Sequence, residues 1–176
     1  MSIITGRGDS GETDLLFGKR IAKTSLRIEA LGAVDELNAA LGVARASATR
    51  PDWIALIDAL QERLIGLMGC LATLPEDLAR YQEQKFASIG EADTAWIVGE
   101  AHRLEACGIR FVGWARPGAE GSLARAHMDF ARAVARRAER SVLALHESGE
   151  PVPENVRLFF NRVADLLWIL ARVECD

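Results

Sequence analysis

Apolar positions recur along this chain with a helical period over most of its length. Leu31, Val34, Leu37 and Leu41 set an i, i+3, i+4 stripe and predict a first helix from about Leu26 to Ser47. Asp35 and Asn38 lie one turn apart on its edge, and Ala39, Ala40 and Gly42 are small enough to admit a neighbouring helix. Pro51 opens a second predicted helix, with Leu56, Leu60, Leu64, Leu67 and Leu71 facing the core, and Pro75 stops it after about Leu74. Residues 76–89 read as either a short helix or a loop. Ser88-x-x-Glu91 resembles a capping box for a third helix over about 91–107, which Gly108 ends. A last helix runs from about Pro153 to Val173, with Val156, Phe159, Phe160, Val163, Leu167 and Leu170 inward; Asn161, Asp165, Trp168 and Arg172 share a line on the other side.

The segment from Ser122 to Leu145 carries the densest chemistry. Ser122 suits the N-cap position, and Leu123, Phe130, Val134, Ala138, Ser141 and Leu145 make the expected inward stripe. The opposite stripe is Arg125, Arg132, Arg136, Glu139 and Leu143, within about 40° of one line at 3.6 residues per turn. Arg137 and Arg140 flank it. Such a face is either solvated or a site for a multiply anionic ligand. These helices, joined mostly by short loops, predict an all-α, antiparallel four- or five-helix bundle.

Composition narrows the choice. At 176 residues the chain is expected to be one domain, 1–176, with residues 1–25 as an N-terminal loop and 26–174 as the bundle. Apolar residues make up 49% of it but aromatics only 6%, which favours helices over a β-sandwich. A net charge of −4 argues against a general nucleic-acid binder, so the arginine stripe is a local feature. The longest apolar run, Leu64 to Leu74, is too short for a bilayer span. The first residues lack a signal-peptide core. Cys70, Cys107 and Cys175 are odd in number and far apart, and read as reduced thiols of a cytoplasmic protein. His102, His127 and His146 lack ligand spacing and no Glu-x-x-His occurs, so no protein-held metal is expected.

The N-terminal loop, Thr5-Gly-Arg-Gly-Asp9-Ser-Gly11-Glu-Thr13, matches Gly-x-Gly-x-x-Gly, but no strand of useful length precedes it and Phe17-Gly18 follows it. A dinucleotide fold is therefore rejected, and the absence of Gly-Lys-Ser/Thr rejects a P-loop. The loop is either a loose arm or a cradle in which glycines let backbone N–H groups crowd an anion, with Thr5, Thr13 and Lys23 adding donors and charge.

Together these residues resemble the PduO-type ATP:cob(I)alamin (corrinoid) adenosyltransferases over nearly the whole chain. Three blocks in order carry the resemblance. The first is Thr5 to Thr13 with Lys23, Arg27-Ile-Glu29 and Val34-Asp35-Glu36-Leu37-Asn38. The second is Pro117-Gly118 followed by Ala131-Arg132 through Arg136-Arg137-Ala138-Glu139-Arg140. The third is Phe160-Asn161-Arg162 through Asp165 to Ala171-Arg172.

The resemblance implies a homotrimer with ATP, accompanied by Mg²⁺, at the subunit interfaces, and reduced cobalamin as co-substrate. It assigns Thr5, Gly6, Asp9, Gly11, Thr13, Lys23, Arg136, Glu139 and Asn161 to ATP. It pairs Asp35 with Arg132 across the interface. It leaves Arg137 and Arg140 as structural partners of helix carboxylates. The family commonly places Phe-x-x-Pro-Gly-Gly before the arginine helix, with the Phe under the corrin. Trp114-Ala115-Arg116-Pro117-Gly118 occupies that place here, with a spacing two residues longer before the helix.

The reaction implied is attack by Co(I) on C5′ of ATP with loss of triphosphate. It needs no protein nucleophile. It needs alignment, worth about 7–11 kcal/mol when good, and cations for the leaving group, here Arg136 and Lys23. Glu139 is placed to orient Arg136 or to accept a ribose hydroxyl, and Trp114 to exclude a lower axial ligand. The alternatives are a non-catalytic carrier of ATP or adenosylcobalamin that serves a client enzyme, and a purely structural helical oligomer.

Overall fold

Ser25 starts the bundle. Its side-chain oxygen accepts from the backbone N–H of Ile28 (3.3 Å), capping helix α1, Leu26–Ser47. The computed structural model describes residues 4–111 and 113–174. The further helices are α2 (Pro51–Leu71), α3 (Leu78–Glu83), α4 (Glu91–Glu105), α5 (Leu123–Glu147) and α6 (Glu154–Leu170). A 3₁₀ turn, Pro75–Asp77, leads into α3, so the ambiguous stretch after Pro75 holds a short helix and then a loop. Around the bundle the packing order is α2–α1–α5–α6–α4. Arg63 of α2 closes the ring onto α4 by an ion pair to Asp93 (3.1 Å) and by lying over the Trp96 ring (3.8 Å).

One core runs through all the long helices. Leu37, Leu41, Ile57, Leu60, Leu64, Leu67, Met128, Leu145, Phe159 and Phe160 are among its fully buried side chains. Antiparallel packing of α1 on α5 is fixed at two points. Ser47 Oγ lies 2.9 Å from His127 Nδ1, and Glu36 pairs with Arg137. Arg137 thus has the structural carboxylate partner the resemblance implies. Arg27 is buried at the root of α1. Its guanidinium donates to the carbonyls of Leu71 and Thr73 (2.9 Å each) and to Glu150 (2.8 Å), tying together α1, the end of α2 and the α5–α6 connection.

Several expectations need correction. The inward face of α5 is Ala124, Met128, Ala131, Val134, Ala135, Ala138, Val142 and Leu145. Leu123 and Phe130 instead face out, 65% and 54% exposed, because they lie about 80–100° around the helix from the centre of that face. Helix α6 stops at Leu170 and not near Val173, so Arg172 lies beyond it, off the polar line, and is buried. The cap of α4 is Gly90, whose N–H donates to Asp93 (2.9 Å), and not Ser88. The N-terminal arm is not structureless: strands β1 (Glu12–Asp14) and β2 (Arg20–Ala22) pair antiparallel. Cys70 is a free thiol, but Cys107 is disulfide-bonded. Cys175 lies outside the described residues.

Candidate functional site

The arm is a built loop. Backbone bonds Asp9 N–H to Gly6 O (3.1 Å) and Gly11 N–H to Gly8 O (3.2 Å) coil the glycine run, and the N–H of Lys23 closes it onto Gly11 O (2.8 Å). Gly11 holds φ +84°, a conformation side chains resist. At Gly8 the requirement is space: a Cβ placed there falls 2.7 Å from the Lys23 ammonium nitrogen. Gly8 therefore lets Lys23 lie across the loop backbone; Thr5, Gly6, Asp9 and Gly11 of the same loop are exposed. Thr13, half-buried, sits in β1 opposite Ile21. The hairpin is anchored through Leu15, which is buried, and through the N–H of Leu16 on Ala72 O (3.0 Å). Lys19 pairs with Glu76 (3.3 Å) and Asp77 (3.5 Å), which raise its pKa, and Arg80 covers the Phe17 ring.

The arginine stripe of α5 divides by partner. Arg125 donates to the carbonyls of Ala171 (3.0 Å) and Val173 (2.7 Å) at the end of α6. Arg132 pairs with Asp129 (3.1 Å). Arg136 is exposed and has no ion-pair partner among the described residues, and Arg140 likewise. The expected Glu139–Arg136 contact is not formed. Glu139 is half-buried. The antiparallel register that sets Asp129 beside Arg172 puts Glu139 near the level of Asn161 and Arg136 near that of Asp165. Asn161 and Asp165 are both exposed. An exposed groove between α5 and α6 thus carries Arg136, Glu139 and Asn161.

Asp35 and Arg132 do not meet within the chain. By the register of the Glu36–Arg137 pair, Asp35 lies level with Ala138, six residues from Arg132, a rise of about 9 Å. Asp35 is exposed. Among residues 5–25 no ion pair reaches α5 or α6; the arm lies over the α2–α3 sector.

Beyond the groove, the loop between α4 and α5 roofs a cavity of about 430 Å³ at the N-terminal end of α5, bordered by Phe111, Trp114, Arg116, Arg125, Asp129 and Arg172. Trp114 is 89% exposed. Asp129 and Arg172, which sequence reasoning did not assign to a site, form its floor. The i, i+3 spacing of Asp129 and Arg132 was the only local signal. Among the described residues no group of three or more His, Cys, Asp or Glu is arranged to hold a metal.

The family model described as cobalamin adenosyltransferase matches residues 3–174. The corrinoid adenosyltransferase PduO of Salmonella typhimurium is 34% identical over 177 residues, covering 99% of this chain and 50% of that protein. The cobalamin adenosyltransferase of Cupriavidus metallidurans is 36% identical over 172 residues, covering 97% of this chain and 86% of that protein. The chain thus spans about half the length of the first curated relatives it matches. A solved structure of a variant PduO-type ATP:corrinoid adenosyltransferase from Lactobacillus reuteri, complexed with cobalamin and ATP, superimposes with a TM-score of 0.84 at 26% identity, covering 97% of this chain and 92% of that one.

Proposed function

This chain belongs to the cobalamin adenosyltransferase family, and on that footing we propose that it transfers the 5′-deoxyadenosyl group of ATP to the cobalt of a reduced corrinoid. The Co(I) electron pair forms the Co–C5′ bond, the C5′–O bond breaks, and triphosphate leaves with that bond's electrons. Cobalt ends as Co(III). No protein base or nucleophile is required, so the chain's work is placement, charge neutralisation and exclusion of water.

Within the stripe Arg125, Arg132 and Arg136, only Arg136 keeps a guanidinium uncommitted among the described residues, and this observation carries the reading. A leaving triphosphate needs such a cation. Lys23, laid over Gly8, is the second. The loop N–H groups of the arm add neutral donors, while Thr5, Gly6, Asp9, Gly11 and Thr13 shape the cradle. Glu139 and Asn161 offer an acceptor and a donor for the ribose and base. Mg²⁺ fits as an ion carried in on the triphosphate, since it keeps waters and phosphate oxygens as ligands and the described residues build no cage for it.

The active assembly is a homotrimer in this reading. Its support is geometric. The arm and the α5–α6 groove occupy different sectors of one chain, so the arm of one protomer covers the groove of the next. Asp35 then reaches Arg132 of a neighbour. Val43 and Phe130, 47% and 54% exposed and level on the outer side of α1 and α5, supply apolar surface for the contact. Trp114 takes the position under the corrin. No described helix is long and apolar enough to cross a membrane.

The test is to mix the protein with ATP and chemically reduced cobalamin and follow the spectrum. Conversion to the adenosylated corrinoid is expected. Arg136→Ala should lower turnover at least 100-fold with an unchanged helical spectrum, because the residue is exposed. Binding of ATP without conversion would leave the carrier reading in its place.

A further inference from the structure

The cavity at the N-terminal end of α5 does not belong to the nucleotide machinery described above. None of the residues assigned to ATP lines it. Asp129 on its floor lies seven residues from Arg136 along α5, a rise of about 10 Å. Its roof is held in place: Arg172 donates to the Ala115 carbonyl (3.1 Å), and Phe111 stands edge-on to Trp168, with ring centres 5.4 Å apart. A volume of about 430 Å³ suits a ring with a small anionic group and is too small for a whole macrocycle.

The charges around it leave one cation over. Arg172 is neutralised by Asp129 (2.9 Å). Arg125 is spent on two carbonyls and faces Glu120 (3.7 Å). Arg110 faces Glu174 (3.7 Å). Arg116 is exposed and has no ion-pair partner among the described residues. One spare guanidinium next to two exposed aromatic rings, Phe111 and Trp114, is the chemistry that receives a phosphate joined to a planar base.

We propose that this cavity is a separate subsite for a phosphate-bearing aromatic group, and that the group is the nucleotide tail of a complete corrinoid, with Arg116 contacting its phosphodiester. The inference rests on the adenosyltransferase reading. Trp114 at the cavity mouth then separates the two parts of one substrate, the macrocycle outside and the displaced tail within. A second molecule of ATP offers the same chemistry, and the experiment separates the two.

Steady-state kinetics of the full chain and of Arg116→Ala, Arg116→Gln and Arg116→Lys are compared with two reduced corrinoids. Cobalamin carries the nucleotide tail; cobinamide has the same macrocycle without it. The expected result is a KM for cobalamin raised about tenfold in the Ala and Gln variants, the scale of one charge-assisted hydrogen bond, with partial rescue by Lys. The KM values for cobinamide and ATP stay put. An equal rise with both corrinoids overturns the proposal, since Arg116 would then act on the macrocycle or the loop. A rise for ATP alone assigns the cavity to a nucleotide and also overturns it. If the parent adenosylates neither corrinoid, the enzyme reading fails. Calorimetry then decides the subsite separately: the parent must bind cobalamin more tightly than cobinamide, and Arg116→Ala must erase the difference.

Discussion

Arg172 grips both carboxylate oxygens of Asp129, at 2.9 and 3.1 Å, with both side chains about 6% exposed. The same guanidinium holds the carbonyls of Ala115 and Trp168, and Asp129 also receives Arg132. One buried pair therefore joins α5, the end of α6 and the loop that carries Trp114. Such a pair organises more than it stabilises, because desolvation offsets most of the attraction. Removing one partner is different. Asp129→Ala should cost about 3–5 kcal/mol in urea unfolding, since it strands a buried guanidinium. The double variant Asp129→Ala with Arg172→Met should recover most of that loss. A single-variant cost below about 1 kcal/mol would show that the pair is wet in solution.

Gly8 and Lys23 make a second close relationship. Gly8→Ala introduces a methyl 2.7 Å from the Lys23 ammonium. The clash is with the far end of a flexible side chain, so melting should barely change. The ammonium must move off the loop, and the KM for ATP should rise about three- to tenfold. An unchanged KM would remove Lys23 from the nucleotide site.

Asp35 projects into solvent and pairs with nothing in its own chain among the described residues. Asp35→Asn should leave the unfolding midpoint of the chain alone. It should weaken assembly or raise the KM for the corrinoid. Sedimentation velocity and kinetics both matching the parent would remove the proposed contact between protomers.

Cys70 is a free thiol whose pKa burial pushes above its ordinary value, with the nearby charge of Arg27 opposing. The thiol form is the neutral one, so the shift keeps Cys70 protonated and unreactive around neutral pH. Peptide mapping after iodoacetamide should show slow labelling of Cys70 at pH 7 and a rise only as the pH passes 9. Urea should abolish the protection. Fast labelling of the folded protein at pH 7 would mean the site opens readily.

The helices were legible from local order alone. Pro51, Pro75 and Ser122 act on their immediate neighbours, and leucines at i, i+3 and i+4 share a face in any helix. The arginine stripe was legible for the same reason, and so was the chemistry that the three motif blocks imply. What each arginine does was not. Arg125, Arg132 and Arg136 are equivalent by periodicity, yet one caps α6, one serves Asp129 and one is left free. Arg172 looked like part of an outward line and is buried, because its partner lies 43 residues away. The rotation of α5 that turns Phe130 out and Met128 in depends on how α1 and α6 press against it. Local spacing determines which side chains share a face. Only packing decides which face meets water, and which charges find each other before a ligand can.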